Sequence, residues 1–403
     1  MDAFFSRKHV TFAARCLLLF PSPYQSEDST QQSLAFFALA SLSLLKIEPD
    51  SDRCALESIV PEEDRDKYRE WIWRLQGSHG GFAGGTSLSI EDAMAGGYPT
   101  SHIITSYTSL LSLSILQDDF SRLRRSELLQ FVGACQQKDG SFSPYPPTQH
   151  WRELGDPRTA YSALAICSML GSFDGIDTNK AIEFLLSCRN YDGGFGESPG
   201  GESHGGYTYC CLAALSILSS LHRLPCPENT LRWLVQRQVT YIDESSPSPS
   251  PSESVPPSQS NTQGKDGFQG RVNKDPDACY SFWVTAALSI LASFLEIDIN
   301  SSAGGAVKGK KRMGLIGSDN HTRWLLDCQH SKIGGVAKGP GELPDVYHTY
   351  LSIAALSLDG QFDLAELDPV LNVKKGAKLP RDVLTGMNAS SFKVAENKDH
   401  QRA

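Results

Sequence analysis

The chain has 403 residues, 40% of them apolar and 21% charged, which is enough apolar material for a sizeable core and excludes a wholly disordered chain. Its apolar runs fall far short of the roughly 18 residues a membrane span needs, and a net charge of −9 argues against a nucleic-acid backbone binder. Ten cysteines, with Cys16–Phe20 too short an apolar run for a secretory leader, read as reduced thiols in a cytoplasmic protein.

Glycine, at 34 residues, punctuates Ala/Leu/Ser-rich helical stretches at regular intervals. From the N-terminus, Gln31–Phe36 opens an apolar run to Leu45. An amphipathic run Trp71–Gln76 ends at Gly80-Gly81-Phe82, and a second apolar helix starts at His102–Tyr107. The pattern then repeats. Leu128–Gln136 precedes Asp139–Phe142 and Asp156–Tyr161; Ala181–Cys188 precedes Asp192–Phe195 and His204–Tyr209. Leu231–Gln238 precedes Asp266-Gly267-Phe268 and Asp277–Phe282; Trp324–Gln329 precedes Gly334-Gly335-Val336 and Asp345–Tyr350. Glycine just past a periodic run is a helix stop, so each unit reads helix, glycine turn, loop, helix.

A repeat of this length implies a stacked or closed architecture. Six hairpins whose second helices are the more apolar predict an all-α (α/α)6 barrel, with the second helices as the inner ring. The predicted toroid spans residues 1–373. Two segments interrupt it: a Ser/Pro-rich insertion at 244–263, expected to be disordered, and a flexible basic loop at 301–312. Residues 374–403 lack periodicity and read as a tail.

In the aligned inner helices, position 0 is Asp or His in five copies and Gln31 in the first, and position +5 is always aromatic. The Asp or His is explained as an N-cap without any further role. Two copies depart from that plain reading. The fifth carries Asp277 and Cys279, the sixth Asp345 and His348, and a closed ring makes these copies neighbours. Carboxylate, thiolate and imidazole together form a three-ligand set that suits catalytic zinc; a buried cysteine and an ordinary polar histidine is the other reading. Arg271 and Lys274 feed the same helix, with His204 and Tyr280 close in the register. They suit a phosphate or diphosphate site, or else a solvated basic loop. Tyr107, Tyr161, Tyr207, Tyr209, Phe282, Trp283 and Tyr350 either line an apolar lumen or belong to the core.

The stretch Gly267–Trp283 closely resembles the signature of protein prenyltransferase β subunits, and Gly200–Tyr207 and Asp345–Thr349 resemble two further motifs of that family. The N-terminal stretch from Arg7–Val10 through Ala35–Leu39, and Leu367–Val373, look most like the type I geranylgeranyltransferase β subunits. The resemblance covers residues 7–373 apart from the insertions. It implies that Asp277, Cys279 and His348 hold Zn²⁺, supported by Asp345, and that a CaaX-terminal cysteine is the acceptor. His204, Arg271, Lys274 and Tyr280 would then stabilise the departing diphosphate, and Arg158 would position the C-terminal end of the peptide.

The same resemblance sets Ser33 where farnesyl enzymes have a bulky Trp, and Leu351 where they have an aromatic residue. Smaller side chains deepen the isoprenoid pocket, to which Trp283 and Tyr207 also belong, and so favour geranylgeranyl diphosphate. Tyr207 departs from the small residue common in type I enzymes. Lys338 stands where farnesyl enzymes have an Asp that recruits Mg²⁺, which implies that Mg²⁺ is not required. The expected partners are an obligate α subunit and CaaX proteins ending mainly in Leu or Phe, such as Rho/Rac/Rap-type small GTPases. Neither nucleic acid nor a membrane span is expected. The rival readings are a farnesyltransferase or Rab-type geranylgeranyltransferase β subunit and a non-enzymatic α/α-toroid binding module.

Overall fold

The computed structural model describes residues 3–48, 53–88, 101–147, 153–240, 266–298, 311–312 and 318–384. Outer helices α1 (Ser6–Leu18), α3 (Glu62–Arg74), α5 (Arg125–Cys135), α7 (Thr178–Ser187), α9 (Pro227–Val235) and α11 (Ser318–Asp327) alternate with inner ones. The inner helices are α2 (Gln31–Leu44), α4 (Ile103–Ile115), α6 (Pro157–Leu170), α8 (Gly205–Ile217), α10 (Ala278–Phe294) and α12 (Val346–Leu358). Each inner helix packs on the next, and α12 packs back on α2, so the ring closes. Outer helices bury one stripe, as α7 buries Ala181, Ile182, Phe184 and Leu185, whereas α6 is buried on nearly every side. That difference in apolarity, visible in the sequence, sorts the helices into two layers. No helix among the described residues is long and apolar enough to cross a membrane.

The glycine turns are more than helix stops. Gln76 bridges to Phe82, Gln136 to Phe142, Arg189 to Phe195, Gln238 to Phe268 and Gln329 to Val336, so each turn is a short antiparallel clamp below its outer helix. Gly140 shows why glycine is needed there. Its φ is +91°, and a Cβ would lie 2.1 Å from the Lys180 carbonyl oxygen of the next outer helix, α7. Gly334 makes the same approach to the Lys8 carbonyl on α1, which ties the last hairpin to the first.

Position 0 caps the inner helices as expected. Asp156 accepts from the Arg158 N–H at 2.7 Å, and the Nδ1 of His102 accepts from the Ile104 N–H at 3.0 Å. The first copy differs: Gln31 is already helical, because the 3₁₀ segment Ser22–Thr30 leads straight into α2 and Thr30 takes the cap position.

The Ser/Pro-rich insertion at 244–263 lies outside the described residues, but its flanks pair as the antiparallel ribbon of β1 (Gln238–Thr240) and β2 (Asp266–Phe268). Residues 301–310 of the basic loop also lie outside, while Lys311–Arg312 pairs in parallel with Ile297–Asp298. The boundary expected at 373 cuts a ribbon, since Leu367–Asp368 pairs with Val373–Lys374. The chain beyond it stays docked through a short helix, Pro380–Leu384, where Arg381 donates to the Ser168 carbonyl at 3.0 Å. Residues 385–403 lie outside the described ones.

Candidate metal centre

At one end of the barrel the N-termini of α10 and α12 lie side by side. Asp277 Oδ1 caps α10 by accepting from the Cys279 N–H at 2.9 Å, and Asp345 Oδ1 caps α12 by accepting from the His348 N–H at 2.8 Å. The opening Asp is thus an N-cap in both copies, and capping fixes the Asp277 carboxylate beside Cys279 and His348. Donor atoms of Asp277, Cys279 and His348 all lie within 4.8 Å of one another. His348 Nε2 sits 3.2 Å from Asp277 Oδ1, and its Nδ1 is held by Asp345 Oδ2 at 2.6 Å. A carboxylate behind the distal ring nitrogen orients a metal-binding imidazole.

The electrostatics match a cation site. Burial alone would depress the His348 imidazole, but its bonds to Asp277 and Asp345 outweigh burial and hold its pKa up at about 9. Burial and the Asp277 charge push the Cys279 thiol well above its ordinary value. A group with two negative neighbours, binding a proton where it could bind a metal, fits Zn²⁺ by donor type. Tyr347 adds a contact the sequence reading left unassigned. Trp283 Nε1 donates to its hydroxyl at 3.2 Å, and that hydroxyl in turn hydrogen-bonds Cys279. Tyr347 occupies position +2 of its copy, the column that also holds Ser33, Arg158 and Cys279, so the register could have found it.

Beside this centre, His204 caps α8 by accepting the Gly206 N–H on Nδ1 at 3.1 Å. Its Nε2 then carries the hydrogen and donates to Tyr280 Oη at 2.9 Å, which leaves the phenolic hydrogen free to point elsewhere. Burial, with the Arg271 and Arg158 guanidiniums, lowers the His204 pKa to about 4. His204 thus serves the rim as a neutral donor rather than as a cation. Tyr280 also depends on Gly270, where a Cβ would fall 2.0 Å from the phenol ring.

The remaining predicted residues are distributed around this end. Arg271 is half-buried and paired with Glu202 at 2.9 Å; Lys274 and Lys338 are exposed. The Lys338 carbonyl accepts from the Ala278 N–H at 2.9 Å, which fixes that segment against the start of α10. Arg158 forks onto Asp156, with Nη2 at 2.6 Å, and lies over the Tyr207 ring at 5.4 Å. Ser33 is half-buried beside Thr108 at 3.3 Å, and Trp283 and Tyr207 are also half-buried. Leu351 is fully buried in the core cluster. Gly270, Glu202, Asp156 and Tyr347 complete the arrangement.

Comparison with known proteins places this geometry. The prenyltransferase alpha-alpha toroid domain matches residues 4–373. The geranylgeranyl transferase type-1 subunit beta of Arabidopsis thaliana is 31% identical, over 91% of this chain and 88% of that protein. Its counterpart from Dictyostelium discoideum is also 31% identical, over 92% and 95%. A farnesyltransferase subunit beta from Schizosaccharomyces pombe is 28% identical over 88% of this chain and 78% of its own. The solved Candida albicans protein geranylgeranyltransferase-I complexed with GGPP superposes with a TM-score of 0.73 at 26% identity, covering 93% of this chain and 97% of that one. With a closed ring of helical hairpins and an Asp/Cys/His group at its end, this chain belongs to the prenyltransferase α/α toroid family.

Proposed function

We propose that the chain is the β subunit of a zinc-dependent type 1 protein geranylgeranyltransferase. It would act in the cytoplasm with an α subunit, joining geranylgeranyl from its diphosphate to the cysteine thiol of CaaX proteins. The observation that carries this reading is the convergence of Asp277, Cys279 and His348 at the barrel end that also holds the His204–Tyr280 pair. Zinc bound by those three residues would act as a Lewis acid that lowers the pKa of the acceptor thiol.

The protein's own groups handle the leaving group. As sulfur bonds to C1 of the allylic chain, the C1–O bond breaks and the diphosphate departs with the electron pair. Tyr280, its hydrogen freed by His204, donates to that diphosphate, and Arg271, Lys274 and Lys338 balance its charge. Asp345 holds the His348 ring, and Arg158, pinned by Asp156, is available to the peptide terminus.

Ser33 and Leu351 support a pocket for the 20-carbon chain, while Tyr207 favours a farnesyl-type pocket at one point. Leu- or Phe-terminated small GTPases of the Rho/Rac/Rap kind are the proposed substrates. The test is competition between farnesyl and geranylgeranyl diphosphates for a Leu-terminated CaaX peptide, using the co-expressed heterodimer. Preferential farnesyl transfer overturns the lipid assignment. Metal analysis of Cys279→Ala should show zinc lost together with turnover, and full retention of both overturns the ligand set.

A further inference from the structure

The sulfur of Cys279 has a partner outside the three-residue ligand set. Cys279 and Trp283 stand four residues apart on α10, so the thiol and the indole share one face of that helix. Tyr347, at the position of α12 that matches Cys279, contacts both. The Trp283 Nε1–H donates to its hydroxyl at 3.2 Å, and that hydroxyl hydrogen-bonds Cys279.

The direction of this short chain follows from its donors. An indole N–H only donates, so the Tyr347 oxygen is the acceptor towards Trp283. Its single hydrogen is then left for the sulfur. The thiol hydrogen of Cys279 is turned the other way, to the Asp277 carboxylate. Tyr347 therefore donates to Sγ whether or not Cys279 keeps its own proton.

The phenol is held for that contact by its neighbours. Phe37 on α2 meets the Tyr347 ring edge-on at 5.3 Å, and the His348 ring lies 5.1 Å away. Trp283 is itself packed against Tyr209 at 5.2 Å and Phe282 at 5.0 Å. No other copy has a tyrosine at +2 or a tryptophan at +6 of its inner helix, so the repeat asks for neither. The pair occurs only where the thiol stands.

We propose that Tyr347, aligned by Trp283, is a positioning residue that donates a hydrogen bond to the Cys279 thiolate and so sets how strongly this sulfur binds the metal. The inference rests on the zinc reading of the centre. A hydrogen bond to a thiolate stabilises its charge and draws electron density from the sulfur, as partners behind a ligand do. The first effect is read as metal affinity and the second as the colour of a sulfur-bound metal. Cys279 supplies the only sulfur among the three ligands, so that colour reports on it alone.

The test uses the co-expressed heterodimer. Zn²⁺ affinity is measured by competition with a chelator, and Co²⁺ is exchanged into the same site as a spectroscopic probe. Neither readout depends on isoprenoid or peptide. Tyr347→Phe keeps the ring contacts with Phe37 and His348 and removes only the hydroxyl. Its Zn²⁺ affinity should fall about tenfold, the low end for losing a partner behind a ligand, and its sulfur-to-cobalt charge-transfer band should move to lower energy. Trp283→Phe keeps the hydroxyl but removes the donor that aligns it, so both readouts should move the same way by less. This second variant also decides the matter if Tyr347→Phe fails to fold. Weaker zinc binding with an unmoved band marks a packing defect and overturns the proposal, as do an unchanged affinity and band. Failure of the unsubstituted heterodimer to bind either ion overturns the zinc reading as well.

Discussion

Tyr280 is positioned by two neighbours outside its own helix. His204 donates to its oxygen, the neutral imidazole being set by burial and two guanidiniums, and the bare backbone at Gly270 makes room for its ring. Adding one methyl at Gly270 forces the phenol to move, because the contact is with the rigid ring. Gly270→Ala is expected to lower kcat/KM about 100-fold, as a misplacement of roughly 1 Å does. Its zinc content should be unchanged, and Tyr280→Phe should show a comparable loss; a variant with normal turnover would refute the positioning. Lys338 offers a second test at this scale. Its own carbonyl accepts from the first N–H of α10, and its exposed side chain stands ready to supply positive charge directly. Turnover is expected to be the same with and without Mg²⁺, and Lys338→Asp to become Mg²⁺-dependent. Strong Mg²⁺ dependence before substitution would show that the lysine does not fill that role.

The glycine turns decide how one hairpin meets the next. Gly140 combines a left-handed φ with a 2.1 Å approach to the α7 backbone, whereas Gly175 has a similar φ of +86° and open space around a Cβ. Gly175→Ala should therefore cost about 1 kcal/mol of backbone strain, and Gly140→Ala about 3 kcal/mol, measured as urea unfolding free energies. Equal losses would mean that close approach contributes nothing. These turns were legible in the sequence because their causes are local: a stop signal, a positive φ and an apolar period. The Asp277/Cys279/His348 cluster was legible because a register aligned two copies that differed from their siblings. Other features depend on partners far along the chain and carry no local sign. The 3₁₀ entry Ser22–Thr30 is polar apart from Pro23 and Tyr24, and the turn at Pro369–Asn372 is shaped by tyrosines up to 264 residues away. Gly270 and Glu202 lie inside the marked stretches Gly267–Trp283 and Gly200–Tyr207, but their contacts with Tyr280 and Arg271 come from packing that those stretches do not record. Leu351 was placed in the right column, but its exposure follows from packing that no single column records.

Closure distinguishes the whole molecule from an open solenoid, whose end units need capping. Here the first outer helix performs that task at a seam with the last glycine turn. His9 is fully buried there, accepting the Gly335 N–H on Nδ1 at 3.0 Å and meeting Gln329 Oε1 with Nε2 at 2.8 Å. Gln329 Oε1 also accepts from the Phe5 N–H at 2.9 Å, so one amide and one imidazole join the first helix to the last hairpin. The Nδ1 contact requires a neutral ring, and burial lowers its pKa from 6.5 to about 4. Because the folded value is the lower one, this group's full contribution is present above pH 6.5. It is lost as pH falls through 4, where the imidazole must take up a proton that breaks the Gly335 bond. The loss amounts to roughly 3 kcal/mol over that interval. His9→Gln removes the titration while keeping a polar side chain at the seam. The variant should be less stable at pH 7.5, and the gap between the two proteins should narrow steadily from pH 6.5 to pH 4. Carboxylates titrate in the same range, but they do so in both proteins and cancel in the difference. Parallel stability curves would show that His9 packs the seam without governing its closure.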